Sequence, residues 1–165
     1  MATTVKLSDS LVNEARRFGD IYSRSVPKQI EYWSKIGKIA EENADLPYSF
    51  IKDILLAQQE PAIPFQFGAH WVVVQILQKP TFQRAYKKLH AQQRCDVDDA
   101  IRLLIQQPQA GEAKVGDLAG VRVYKFRTTN QLMLLAYSHD EDTITLTLLA
   151  LGSHENFYRD LKKSL

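Results

Sequence analysis

"QLMLLAYSHDEDTITLTLLAL" (residues 131–151) is the stretch whose reading decides the fold. Leu132 to Tyr137 is almost wholly apolar, as a central strand covered on both faces would be. "DTITLTLLAL" (142–151) alternates, with Ile144, Leu146 and Leu148 on one face and Thr143, Thr145 and Thr147 on the other. The polar "HDED" (139–142) between them is a hairpin turn, so the two strands run antiparallel. Just upstream, "GVRVYKFR" (120–127) sets Val121 and Val123 against Arg122, Tyr124 and Phe126. The "TTNQ" turn (128–131) joins it to the sheet as a third antiparallel strand.

Outward from this sheet, "HWVVVQIL" (70–77) has the pattern of a buried strand. Pro80 opens a helix that carries Phe82, Ala85, Tyr86 and Leu89 at helical spacing. Asp96 is the expected cap of a second helix with Val97, Ala100, Ile101, Leu104 and Ile105 inward, and Pro108 and Gly111 end it. "LGSHENFYRDLKKSL" (151–165) predicts a closing helix that starts near Ser153, its cap, with Phe157 and Leu161 facing inward. Residues 71–165 thus make an α+β domain, with helices on one face of an antiparallel sheet.

"QQEPAIPFQFGAH" (58–70) holds two prolines and a glycine, which exclude a helix interior. It is the boundary, with residues 59–70 as a linker. Ile63, Phe65 and Phe67 are too apolar for a free linker, so the segment is expected to lie against a domain. Ahead of it, residues 1–58 give one short strand and three helices. "TTVKLS" (3–8) alternates, with Val5 and Leu7 on one face. Ser8 or Asp9 caps a helix with Leu11, Val12, Ala15 and Phe18 inward. A second helix begins near Ser25 and Pro27, with Ile30, Trp33, Ile36, Gly37 and Ala40 as its stripe. "ADLPYSFIKDILLAQQ" (44–59) gives a third, with Phe50, Ile51, Ile54 and Leu55 inward.

A lone strand leaves its N–H and C=O groups unpaired. One solution is a two-fold homodimer whose two strands pair antiparallel, the ribbon-helix-helix arrangement. Its ribbon enters the DNA major groove. Thr4 and Lys6 then face the bases, and the helix start at Ser25 and Lys28 holds a phosphate. The competing reading is a small helical domain with a frayed N-terminus.

Composition sets bounds. The 165 residues are 45% hydrophobic and 24% charged, with a net charge of +2. Residues 1–60 hold 8 Lys+Arg against 9 Asp+Glu, and residues 61–165 hold 13 against 10. The second half therefore permits nucleic-acid contact without demanding it. No apolar run approaches the roughly 20 residues that span a bilayer, the start lacks a signal-peptide core, and the single Cys95 has no internal partner. These features suit the cytoplasm, with no membrane association. His70, His90 and His139 show no metal spacing, and no metal or cofactor is expected.

The run "SRSVPKQIEYWSKIGKIAEENADLPYSFIKDIL" (23–55) resembles the ParD-like antitoxins of bacterial type II toxin–antitoxin systems. That resemblance implies a dimeric ribbon-helix-helix domain that binds operator DNA, regulates its operon and neutralises a toxin. "GDLAGVRVYKFR" (116–127) with "LMLLAYSHDEDTITLTLLALGSHENFYRDLK" (132–162) resembles the RelE/ParE toxin superfamily. RelE-type members cut messenger RNA, mostly on the ribosome. ParE-type members poison DNA gyrase and are not nucleases. Antitoxin followed by toxin on one chain implies a natural fusion, with residues 59–70 where a toxin-wrapping tail would lie.

RelE-type cleavage uses the RNA 2′-hydroxyl as nucleophile and needs no metal. It needs a base, an acid and cations to offset phosphate charge. By resemblance, His154 and Arg122 fall on the superfamily's C-terminal histidine and strand arginine, and Lys125 joins them as a catalytic candidate. Lys114, Arg127 and Tyr158 are the RNA- and phosphate-binding candidates. Arg122 and Arg127 are five apart, so a regular strand points them to opposite faces, whereas Lys125 and Arg127 share one. His154 is equally a surface residue at a helix start, and Arg122 equally an ion-pair or packing residue. Three functions stand open: a latent endoribonuclease neutralised in cis, a DNA-binding regulator with an inactive toxin-like domain, or a gyrase inhibitor.

Overall fold

The computed structural model describes residues 2–65, 75–129 and 131–154. The chain divides into two compact units, residues up to Glu41 and residues from Glu42 onward. In the first, α1 (Asp9–Tyr22) begins where the Ser8 hydroxyl accepts the Leu11 N–H at 3.4 Å. It ends with Ser23 in the left-handed region, and Arg24 N–H returns to the Gly19 carbonyl at 2.8 Å. A Cβ on Gly19 would lie 2.5 Å from the Arg24 oxygen, so the tight return needs glycine. α2 (Val26–Glu42) follows, with Pro27 in its first turn. Phe18 meets Trp33 edge-on at 5.6 Å, and Arg24 sits 4.1 Å over the Tyr32 ring. Ile39 is buried and Ala40 exposed, a one-residue rotation from the expected stripe.

Residues 2–7 carry no regular structure, where alternation predicts a strand, and Val5 and Leu7 are exposed. The physical reason is that a ladder needs two strands, and among the described residues no strand pairs with this segment.

The second unit holds a six-stranded sheet. Its strands are β1 (Ile63–Pro64), β2 (Gln75–Gln78), β3 (Glu112–Ala113), β4 (Arg122–Arg127), β5 (Leu132–Asp140) and β6 (Thr145–Ser153), in the order β1-β2-β6-β5-β4-β3. β4, β5 and β6 are antiparallel, as their turns predict. β2, however, is parallel to β6. The sheet is therefore mixed, because the two helices between β2 and β3 form a long crossover rather than a hairpin. Residues 70–74 of the expected first strand, and Phe67, lie outside the described residues. Of the linker, Ile63 and Pro64 pair with β2, and Phe65 packs edge-on against Phe82 and Tyr86.

α4 (Pro80–Lys87) and α5 (Ala91–Gln106) cover one face, burying Phe82, Val97, Ile101 and Leu104 against Ile76, Leu135, Tyr137, Leu146, Leu148 and Leu151. α5 starts five residues before the expected Asp96 cap. His90 and Gln93 close a capping box there, a pairing outside the usual Ser/Thr–Glu pattern. α3 (Tyr48–Gln59) packs on β6 and α4, with Phe50, Ile51, Ile54 and Ala57 buried. Phe50 lies over Gly152, where a Cβ would sit 3.1 Å from its ring. α3 thus covers the sheet face opposite α5.

β6 is not regular. The register against β5 shifts between Ala136 and Tyr137, so Ala150 pairs Ala136 while Leu148 pairs Tyr137, and Leu149 is the extra residue. Leu148 and Leu151, three apart, therefore reach the same core. Ile144, expected inward, sits in the turn at φ 50 and is 46% exposed. A β-branched residue there costs about 1 kcal/mol. Ile144→Asn is expected to stabilise the unit by about 1 kcal/mol, read as a raised urea midpoint, since the Ile144 carbonyl that accepts Gln75 N–H is untouched.

Candidate functional site

The face under α3 carries the chemistry. Lys114 follows β3, and its N–H donates to the Val121 carbonyl at 2.9 Å, extending the β3–β4 pairing by one residue. Alternation then sets Lys114 on the face of Val121 and Val123. Its side chain is 2% exposed. It donates to both oxygens of Asp45, Oδ1 at 2.9 Å and Oδ2 at 2.7 Å. Lys125 Nζ reaches the same Oδ2 at 3.1 Å. Glu112, largely exposed, adds a longer contact to Lys114 at 3.4 Å.

Asp45 is held there by its neighbours. Leu46 N–H bonds the Asn43 carbonyl at 3.0 Å, forming the turn before α3. The buried Asn43 side chain takes both backbone groups of Val115, accepting its N–H at 3.4 Å and donating to its carbonyl at 3.5 Å. Gly116, at φ +64, lies against Glu42, where any Cβ would fall 1.7 Å from a carboxylate oxygen. Burial pushes the Asp45 carboxyl up, but the hydrogen bonds and charges of Lys114 and Lys125 outweigh it and hold it below its ordinary range.

The register locates the other candidates. Lys125 pairs with Leu134 and Arg127 with Leu132, on the face of Val123. His154 lies just past β6, in a bend, and its N–H donates to the Leu132 carbonyl at 2.9 Å. The expected helix cap is thus the last residue of β6, Ser153, and the helix itself falls outside the described residues. Because Leu149 is an extra residue, alternation sets Gly152 and His154 on the face of Lys125 and Arg127. Arg127, Leu132 and His154 form one row, roughly 10 Å from end to end. Lys114, Lys125, Arg127 and His154 therefore share a face.

Arg122 does not join them. It pairs with Tyr137 on the α5 face, and its guanidinium donates to the Gly111 carbonyl at 2.8 Å and the Gln109 carbonyl at 3.5 Å. Tyr137 braces the same loop, donating to the Pro108 carbonyl at 2.5 Å and accepting Gly111 N–H at 3.0 Å. Tyr158 lies outside the described residues. In the first unit, Thr4 and Lys6 lie in the irregular segment, and Ser25 and Lys28 at the start of α2, with Lys28 bonded to Glu31 at 3.0 Å.

Three cations and an imidazole on one sheet face can grip a polyanion and move a proton. With Asp45 in place, two of those cations are occupied. Asp45 is the residue that sequence reasoning missed. An acidic residue two before Pro47 has the pattern of a helix-start group, yet α3 begins after Pro47 with no side-chain cap.

A model of ParE-like toxins of type II bacterial toxin–antitoxin systems matches residues 76–162, over half of the chain. A model of ParD-like antitoxins of the same systems matches residues 2–65. Among curated proteins, no relative matches the chain. Among solved structures, the intact Escherichia coli RelBE toxin–antitoxin complex is similar at 13% identity and a TM-score of 0.40, over 47% of this chain and 92% of that one. The isolated E. coli RelE toxin is 14% identical at a TM-score of 0.41, over 55% and 97%. The RelBE2 complex of Mycobacterium tuberculosis is 20% identical at 0.40, over 55% and 99%. On the family matches, the chain belongs to the ParE-like toxins of type II bacterial toxin–antitoxin systems, joined within one polypeptide to a ParD-like antitoxin that precedes the toxin.

Proposed function

We propose that this protein is a single-chain toxin–antitoxin module whose antitoxin part holds its toxin part neutral. The observation that carries this reading is the packing of α3. That helix lies within the ParD-like match, yet it packs on β6 and α4 of the toxin match, with Phe50 over Gly152 and Ile51 and Ile54 buried. Asp45, at the turn just before α3, engages Lys114 and Lys125, so two cations of that face are occupied while α3 is docked, and Lys125 and Arg127 stay exposed at the edge of the cover.

The toxin chemistry supported best is a latent, metal-independent cut of messenger RNA on the ribosome. His154 is its proton-transfer residue, and Lys125, Lys114 and Arg127 are its phosphate contacts. Arg122 acts through the 109–111 loop that it holds. The first unit dimerises through residues 3–8 and contacts operator DNA through Thr4, Lys6, Ser25 and Lys28, in the cytoplasm. A second reading, a toxin that binds DNA gyrase without cutting RNA, is favoured by one observation. With Arg122 turned away, His154 is the one imidazole on this face among the described residues of the toxin match.

Expression of residues 61–165 is the test. Growth arrest is expected, relieved when residues 2–60 are supplied as a separate chain. Loss of arrest in folded His154→Ala, with messenger RNA intact, supports the nuclease. Arrest that survives His154→Ala, with gyrase-dependent DNA breaks, supports the second reading. Harmless expression of a folded 61–165 chain would sink both.

A further inference from the structure

Two lysine ammoniums converge on one carboxylate oxygen, Asp45 Oδ2, at 2.7 and 3.1 Å. They therefore stand no more than about 6 Å apart, a spacing at which like charges repel unless an anion lies between them. The Lys114 side chain is almost wholly buried, so its charge is met by protein groups rather than by bulk water. Asp45 and Lys125 are each about a third exposed, so the seat opens to solvent on the side that the carboxylate fills. Glu112 touches Lys114 from the rim at 3.4 Å, is 65% exposed, and neutralises the seat only in part.

We propose that Lys114 and Lys125 form a phosphate-binding seat, and that the Asp45 carboxylate occupies it as an internal substitute for two phosphate oxygens. The proposal rests on the reading of this face as the toxin's working surface, and it names the ligand class: a phosphate group, free or within a nucleic-acid backbone. The carboxylate fits as a substitute because it is planar, anionic and holds two acceptor oxygens, each bonded here by an ammonium. Neutralisation is then an exchange of anions on one seat as well as a steric cover. Release of the turn at residues 43–46 frees the seat and returns two cations to the toxin face.

The test uses the full chain with Asp45→Ala, which removes the anion and leaves room for another. Thermal unfolding is compared in sodium phosphate and sodium chloride at equal ionic strength. The variant's Tm is expected to rise saturably, by at least about 4 °C, in phosphate alone. Wild type and Asp45→Ala/Lys125→Met are expected to show only the small, non-saturating rise that phosphate gives folded proteins in general. Equal responses in wild type and variant, or a saturable response that survives Lys125→Met, would overturn the proposal. Asp45→Ser, smaller and still polar, is the second variant. Should neither fold in chloride, the comparison becomes the fraction refolded in phosphate against chloride, with the same two outcomes. A 2′-deoxy oligonucleotide that displaces phosphate from the variant identifies the backbone as the source, and one that does not identifies the free ion. The growth assay separates the two readings. A harmless 61–165 chain with a phosphate-responsive variant leaves the seat and removes the toxin function; a toxic chain with a phosphate-blind variant does the reverse.

Discussion

Asp45→Leu is expected to destabilise the second unit by about 2–4 kcal/mol at neutral pH. The substitution puts an apolar side chain of similar size in its place but takes the anion from Lys114, whose side chain is 2% exposed. Losing one partner of a buried pair costs more than the pair contributed, because the other charge stays buried. The loss sits below the top of that range because Asp45 itself is a third exposed and Glu112 remains at 3.4 Å. Asp45→Leu/Lys114→Met, which removes both charges, is expected to recover most of the loss, giving a coupling of about 1–3 kcal/mol. Additive single effects would show that the pair is energetically idle.

The pH dependence has a definite sign. The folded carboxyl is held below its ordinary range, so the folded state favours the ionised form more than the unfolded chain does. That contribution is fully present above the ordinary carboxylate pKa near 4 and is lost as pH falls through the depressed folded value. The gap between wild type and Asp45→Leu is therefore widest near neutrality and closes on acidification. Urea unfolding followed through the amide signals of β4 and β5 measures it for the second unit alone.

The sheet was legible wherever one face is buried and the other polar. Thr145 to Leu148 alternates, Val121 to Phe126 alternates, and the turns between them are polar, so three strands and their antiparallel order follow from pattern alone. The bulge was not legible. Within Leu148-Leu149-Ala150-Leu151 every residue is apolar and buried, so no change of period marks Leu149 as the extra one. Yet that residue decides which face His154 occupies, and hence whether it meets Lys125 or the α5 core. The spacing of Arg122, Lys125 and Arg127 needed no such help, since β4 is regular throughout.

α3 shows a different limit. Its apolar residues say which side is buried and nothing of what buries it. It stands in sequence with α1 and α2, and it packs with β6 and α4. Asp45 was hidden for a related reason. Its partners lie 69 and 80 residues away, at Lys114 and Lys125, and no local pattern encodes a pair at that separation. The segment 2–7 marks a third limit, because alternation alone makes no strand where the described residues supply no strand to pair with it.

Phe50→Ala is expected to cost about 3–5 kcal/mol, and where that loss appears decides what α3 is. Phe50 is 3% exposed and lies over Gly152, so truncation leaves a cavity between helix and sheet. If α3 is a cover, the sheet keeps its own core beneath α4 and α5, where Phe82, Ile101, Leu135 and Tyr137 are fully buried. The cost then falls on docking. Amides of α3 lose hydrogen-exchange protection, while those of β5 and β6 keep most of theirs. Under the neutralisation reading the same variant slows growth, because an undocked α3 uncovers the sheet at Gly152 and loosens Asp45, just before it, from Lys114 and Lys125. Equal loss of protection in α3 and in β5 would mean that the helix is part of the toxin's own core. The antitoxin would then have no separable cover on this face, and release would have to proceed through unfolding of the toxin itself.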